Sequence, residues 1–239
     1  AFRSPAFWLS LALVLNVLEG AIRKWLPGFD GGVGLGLAYF SKDFCFALGI
    51  VGLLSRRERM TPTLDIISQW GVFAFSAIIA GGLLSSFHGF NVVGSLLSVR
   101  ALLILPLLGY LYLSRVGRFP LMGFALVGIA LTAINAPLAL IQNSLPSNDI
   151  LNQYASDEMQ VVEVSHGVRA TGTFAYISGL GVMSALGVWS GLVVLSLGRE
   201  WKVQGLGVFG IVLALGCAFA AISRTGVVIA FAMLGLWAL

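Results

Sequence analysis

The chain has 239 residues, of which 58% are hydrophobic and 10% charged. A soluble domain carries roughly a quarter of its residues as charges, so there are too few here to cover a water-facing surface. The net charge of +4 is too small and too scattered to point to nucleic acid, and in a membrane protein the placement of basic residues matters more than their sum.

A membrane span needs about 20 predominantly apolar residues. That criterion predicts an all-α, polytopic transmembrane bundle of about eight helices, near 5–22, 33–54, 66–85, 96–114, 120–142, 176–197, 205–222 and 225–239. The whole of 1–239 reads as one integral membrane domain, with no internal repeat, low-complexity tract or soluble domain boundary. The thirty glycines suit tightly packed membrane helices, where small residues let backbones approach. The first apolar segment ends in Glu19, Arg23 and Lys24 rather than in a small-residue cleavage site, so it reads as a span and not a signal peptide. The sequence begins without Met and stops at Leu239 inside an apolar run, which suggests truncation at the C-terminus.

Charge then orients the spans. Arg3, the loop with Arg56, Arg57 and Arg59, the loop with Arg115 and Arg118, and the loop with Arg199 and Lys202 all fall on one side if the helices alternate. By the positive-inside rule that side, with the N-terminus, is cytoplasmic. The opposite side receives a long polar loop, 143–175, between the fifth and sixth predicted helices, with Asp149, Asp157, Glu158 and Glu163. It is too long for a simple connector and has room for a short surface helix.

Six of the fourteen basic residues escape this pattern: Arg23, Lys24, Lys42, Arg100, Arg169 and Arg224. A charge at membrane depth costs from ~2.5 kcal/mol upwards unless it is paired or hydrated. Glu19 stands four residues before Arg23, the spacing of a helical ion pair. Lys42 and Asp43 are splayed about 100° apart on a helix, so each is expected to pair with another helix. Arg100 belongs to the outer half of the fourth predicted helix, Arg169 to the end of the long loop, and Arg224 to the junction of the last two. These groups read either as snorkelling and structural cations or as a set gathered at one depth to bind phosphate or carboxylate, for which guanidinium is suited. The set as a whole favours binding.

The remaining candidates are weaker. His166, three residues before Arg169, has the chemistry of a general base near neutral pH, whereas His88 reads as an interfacial histidine. Cys45 and Cys217 lie in apolar runs without ligand spacing and read as small buried residues. The glycine-rich stretch at 31–37 opens a membrane helix and is no nucleotide loop, and no motif for a metal or other cofactor is present.

Three segments carry a family resemblance. Leu18-Glu19-Gly20-Ala21-Ile22-Arg23-Lys24-Trp25-Leu26-Pro27 resembles the opening of polysaccharide polymerases of the bacterial O-antigen ligase/polymerase superfamily. Arg169-Ala170-Thr171-Gly172-Thr173-Phe174 is similar to that family's arginine-glycine-phenylalanine segment, and Ala221-Ile222-Ser223-Arg224-Thr225-Gly226 to its Ser-Arg signature. After the phenylalanine the family often has Pro-Asn, where this chain has Ala175-Tyr176-Ile177-Ser178. Members commonly have more helices and a large external loop in their second half. The resemblance therefore implies the N-terminal portion of such an enzyme, or a shortened relative that has lost activity.

The resemblance implies metal-independent glycosyl transfer at the outer face of the bacterial plasma membrane. The donor would be an undecaprenyl-pyrophosphate-linked glycan and the acceptor a second lipid-linked glycan or a lipid core. Arg169 and Arg224 would meet the pyrophosphate with Arg100 in support, Arg23 and Lys24 would guide the anionic head, Glu19 would orient Arg23, and His166 would activate the acceptor. The alternatives are a non-catalytic subunit packed against partner membrane proteins, or a transporter of a lipid or small anion.

Overall fold

A computed structural model describes residues 4–29, 31–56, 111, 115–116, 120–154, 161–164, 167–175, 177–222 and 224–238. The helix predicted near 66–85 lies outside these residues, as does that near 96–114 apart from Leu111, which is helical and buried; Arg100, His88 and His166 also lie outside them. Six α-helices are described: α1 Pro5–Trp25, α2 Gly32–Leu54, α3 Leu121–Ser144, α4 Ile177–Leu197, α5 Trp201–Ala220 and α6 Arg224–Ala238. The first five are long and apolar enough to cross a membrane, and the 15-residue α6 is shorter. This is the make-up of a multi-pass membrane protein.

Hydropathy placed these helices to within a few residues. Two ends differ for a physical reason. The first helix runs past Arg23 and Lys24 to Trp25, because both cations find partners and need not terminate it. The seventh predicted span starts earlier, at Trp201, because the polar turn Trp201-Lys202-Val203-Gln204 is itself helical, opened by Val203 N and Gln204 N donating to Glu200 O.

Contacts divide the chain into two compact units, residues 1–9 with 45–119 and residues 10–44 with 120–239. In the first, Gly49 of α2 lies against Leu9 of α1, and the Arg115 guanidinium donates to the Arg56 carbonyl at 2.8 Å. Cys45 belongs to this unit and Cys217 to the second, and both are buried.

The second unit is built around α4, most of whose residues from Leu180 to Val194 are buried, with Val182 left exposed. Water cannot drive helices together in lipid, so association rests on close packing of small residues. Gly191 of α4 and Gly207 of α5 meet backbone to backbone: a Cβ on Gly191 would stand 2.6 Å from the Gly207 carbonyl oxygen. Gly187 faces Thr132 of α3 and Ala214 of α5, while Gly226 of α6 faces Ser184 and Gly181. Val17, Leu131 and Met183 form a shared core of α1, α3 and α4.

The long segment between α3 and α4 contains no α-helix among its described residues. It makes a 3-10 turn at Ile150–Asn152 and a short antiparallel hairpin, β1 Glu163–Val164 with β2 Gly167–Val168. Its final stretch is not a surface loop. Val168, Ala170, Thr171, Gly172 and Thr173 are buried between the ends of the helices.

Candidate functional site

Irregular backbone at membrane depth is tolerated only where protein satisfies its polar groups. The stretch Arg169–Phe174 meets that condition donor by donor. Arg169 N donates to Val162 O at 3.0 Å, and Ala170 N to Ala220 O, at the end of α5, at 3.1 Å. Thr171 N and Gly172 N both donate to the Gln142 side-chain oxygen, at 3.1 and 2.7 Å. Thr173 N donates to Asn135 Oδ1 at 2.9 Å, and Phe174 N turns back to Thr171 O at 3.1 Å.

Side-chain contacts complete the mounting. The Thr173 hydroxyl donates to the Val17 carbonyl of α1 at 2.7 Å, and Asn143 Nδ2 donates to Val168 O at 2.8 Å. Gly172 adopts a φ of +59°, which favours glycine, and a Cβ there would meet Asn135 Oδ1 at 2.3 Å. Gly20 of α1 supplies the opposite wall: a Cβ on it would come within 2.1 Å of Ala175 N. Asn135, Gln142 and Asn143 lie seven and eight residues apart, on one face of α3.

The basic residues fall into two kinds. Glu19 is buried and accepts from Arg23 at 3.3 Å and from Lys42 of α2. The i,i+4 pair and the interhelical pairing of Lys42 are thus as the spacing suggests. Lys24 Nζ donates to Thr171 Oγ1 and to the Gly172 carbonyl, each at 2.9 Å, and sits 4.6 Å from the Trp25 ring centroid. The Trp25 indole in turn donates to Ile150 O at 3.0 Å. Glu19, Arg23, Lys24 and Lys42 therefore tie α1 to α2 and to the buried segment.

Arg169 and Arg224 are different. Arg169 is half-buried and has no carboxylate partner among the described residues; its Nε, like that of Arg23, is shut off from solvent without a hydrogen-bond partner. The Tyr154 phenol lies within electrostatic reach of its guanidinium, and burial pushes that phenol above its ordinary pKa, against the opposing pull of the Val162 N–H and of Arg169. Arg224 is exposed and is the first residue of α6. A cation at a helix N-terminus works against the macrodipole, by about 0.3–1 kcal/mol, and an anion there would be favoured. The Ala170–Ala220 hydrogen bond places the residue after Arg169 at the end of α5, and Arg224 follows that end by one short turn. The structure thus brings the Arg23–Lys24 end of α1, Arg169 and the α5–α6 junction to the same buried segment. Arg100 and His166 are not among the described residues.

Asn135 and Gln142 went unremarked in the sequence. Their signal was present: two carboxamides seven residues apart inside an otherwise apolar span, where polar side chains are retained to satisfy something. Among the described residues no group of three His, Cys, Asp or Glu side chains is placed to hold a metal ion. No protein-family model matches the chain, and neither the curated proteins nor the solved structures searched contain a match.

Proposed function

We propose that this end of the helices binds the pyrophosphate of a lipid-linked glycan, and that the protein transfers the glycan from undecaprenyl pyrophosphate to a lipid-linked acceptor. The site would face the outer side of the bacterial plasma membrane, with the N-terminus cytoplasmic. The observation that carries this reading is Arg169, whose Nε is buried without a partner on a segment whose backbone N–H groups are all engaged. The backbone there has no donor left for an anion, so recognition falls to the guanidinium. The resemblance of the Leu18–Pro27, Arg169–Phe174 and Ala221–Gly226 segments to O-antigen ligases and polymerases supports the same reading.

In that reaction the acceptor hydroxyl oxygen bonds to the anomeric carbon as the bond from that carbon to the pyrophosphate oxygen breaks. Negative charge grows on the departing pyrophosphate. Cations fixed in a water-poor site stabilise it without reorganising, an effect worth about 3 kcal/mol for a single well-placed donor. Arg169 takes this role with Arg224, and Arg100 is assigned to support them. His166 is assigned to take the proton of the acceptor hydroxyl. Glu19, Arg23 and Lys24 hold the segment in place, and the Arg23–Lys24 pair lends positive charge to the approach of the lipid head.

The test is Arg169→Ala in the cells that make the glycan, with membrane level checked by immunoblot. Polymer or ligated glycan is expected to disappear while the protein stays in the membrane. Wild-type chain lengths in that variant would remove the assignment and favour a non-catalytic subunit of a larger membrane complex.

A further inference from the structure

We infer that Gln142 is the positioning residue that sets Arg169, by filling with its own side chain a backbone concavity that would otherwise be open to an anion. The inference takes the role of Arg169 from the reading above, but where Gln142 holds the segment can be measured separately.

The geometry is specific. Two consecutive N–H groups, those of Thr171 and Gly172, converge on one acceptor, as they do in the backbone nests that bind anions. Here the acceptor is Gln142 Oε1, a neutral oxygen brought in by α3. Gln142 has no exposure to solvent, so neither water nor a ligand competes for it. Its amide nitrogen donates to Leu151 O and, at 3.4 Å, to Gly172 O. One side chain therefore ties the start of the long segment, at the 3-10 turn, to its end beside Arg169. Lys24 holds the same Gly172 carbonyl from α1.

Substitution separates positioning from simple space filling. Gln142→Leu keeps the bulk but removes the acceptor for two N–H groups and the donor for two carbonyls. Gln142→Glu keeps a side-chain oxygen of the same length for both N–H groups and, held neutral by burial, a hydroxyl that donates to Leu151 O. If Gln142 acts as a positioning residue, Glu preserves the segment and Leu does not.

The placement can be read without any transfer reaction. In the full chain in membranes, Arg169→Cys introduces a thiol whose rate of modification by a water-soluble methanethiosulfonate reports its exposure. Cys45 and Cys217, at 5% and 0% exposure, give a slow background. Adding Gln142→Leu is expected to change that rate by about tenfold or more, the factor that follows from leaving buried donors unpaired. Adding Gln142→Glu is expected to leave it within about threefold, the N–H pair keeping its acceptor. Equal rates in the Gln, Leu and Glu backgrounds would overturn the inference. Should Gln142→Leu fail to reach the membrane, Gln142→Asn, shorter by one methylene, replaces it with the same expected change.

Glycan output then tests the link to Arg169. Gln142→Leu with native Arg169 should lower it about a hundredfold, as misplacement by an ångström does, and Gln142→Glu should restore most of it. Normal glycan from Gln142→Leu, in cells where Arg169→Ala makes none, would overturn the positioning role while leaving the role of Arg169 intact. Normal glycan from Arg169→Ala would instead remove the transfer reading, and the thiol rates would still decide whether Gln142 sets this residue.

Discussion

The α4–α5 contact and the Arg169–Phe174 segment sit in the same unit and solve opposite problems. Along α4 and α5 each peptide is satisfied within its own helix, so the contact needs only that the chains come close, and glycine at 191 and 207 allows it. Along Arg169–Phe174 the peptides have no helix to satisfy them. Their donors go to Val162, Ala220, Gln142 and Asn135, and residue 142 is separated from 171 by most of the intervening loop. The first contact is tolerant of small changes because either helix can shift along the other. The second is fixed from several directions at once, which is what a site needs in order to hold a charged group in one place.

The largest effect expected from breaking this contrast comes at Gly20. A Cβ there would collide with Ala175 N, Phe174 C and Thr173 O at 2.1, 2.3 and 2.5 Å, all backbone atoms of the anchored segment. None of them can swing aside. Gly20→Ala should therefore cost about 3 kcal/mol, the upper end for overpacking, seen as a lowered unfolding midpoint in detergent. The segment would also lose its seat against Val17, so the glycan phenotype should match that of Arg169→Ala.

Gly191→Ala should do less. Its Cβ would meet Ile211 Cγ1 at 2.5 Å and Gly207 O at 2.6 Å, and α5 can shift relative to α4 to relieve both, since each helix keeps its own backbone hydrogen bonds. A cost of about 2 kcal/mol in the same unfolding measurement is expected, with glycan output retained. If Gly191→Ala proved as damaging as Gly20→Ala, the distinction between a sliding contact and a fixed one would fail.

The same contrast explains what the sequence made legible. Length and hydropathy are local properties, so α1, α2 and the four helices from α3 to α6 were readable from runs of apolar residues. So was the Glu19–Arg23 pair, because helical spacing alone brings the two together. The burial of Thr171, Gly172 and Thr173 was not readable. Those residues are small and polar, their stretch lies in a segment with several acids, and the groups that bury them come from α1, α3 and α5. Lys24 shows the limit at one residue. Its charge at a helix end suggested snorkelling or a ligand, and only the folded chain supplies Thr171 Oγ1 and the Gly172 carbonyl as its partners.

The smallest effect expected is a matter of pH, and it sharpens what stands beside Arg169. Burial holds the Tyr154 phenol above its ordinary pKa of 10, so folding favours the protonated form. The sign follows from linkage: the contribution is complete below pH ~10 and is lost as pH rises through the raised folded value, because the unfolded chain releases the proton first. Tyr154→Phe should therefore flatten the alkaline side of the stability profile and leave the neutral region nearly unchanged. The Arg169 guanidinium opposes the shift by favouring the phenolate. Removing it in Arg169→Ala should push the Tyr154 titration still higher, measured as the phenolate difference spectrum against Tyr154→Phe in the same background. A titration unmoved by the loss of Arg169 would mean that the guanidinium points away from the phenol, and the anion would then have to be sought on the Arg224 side.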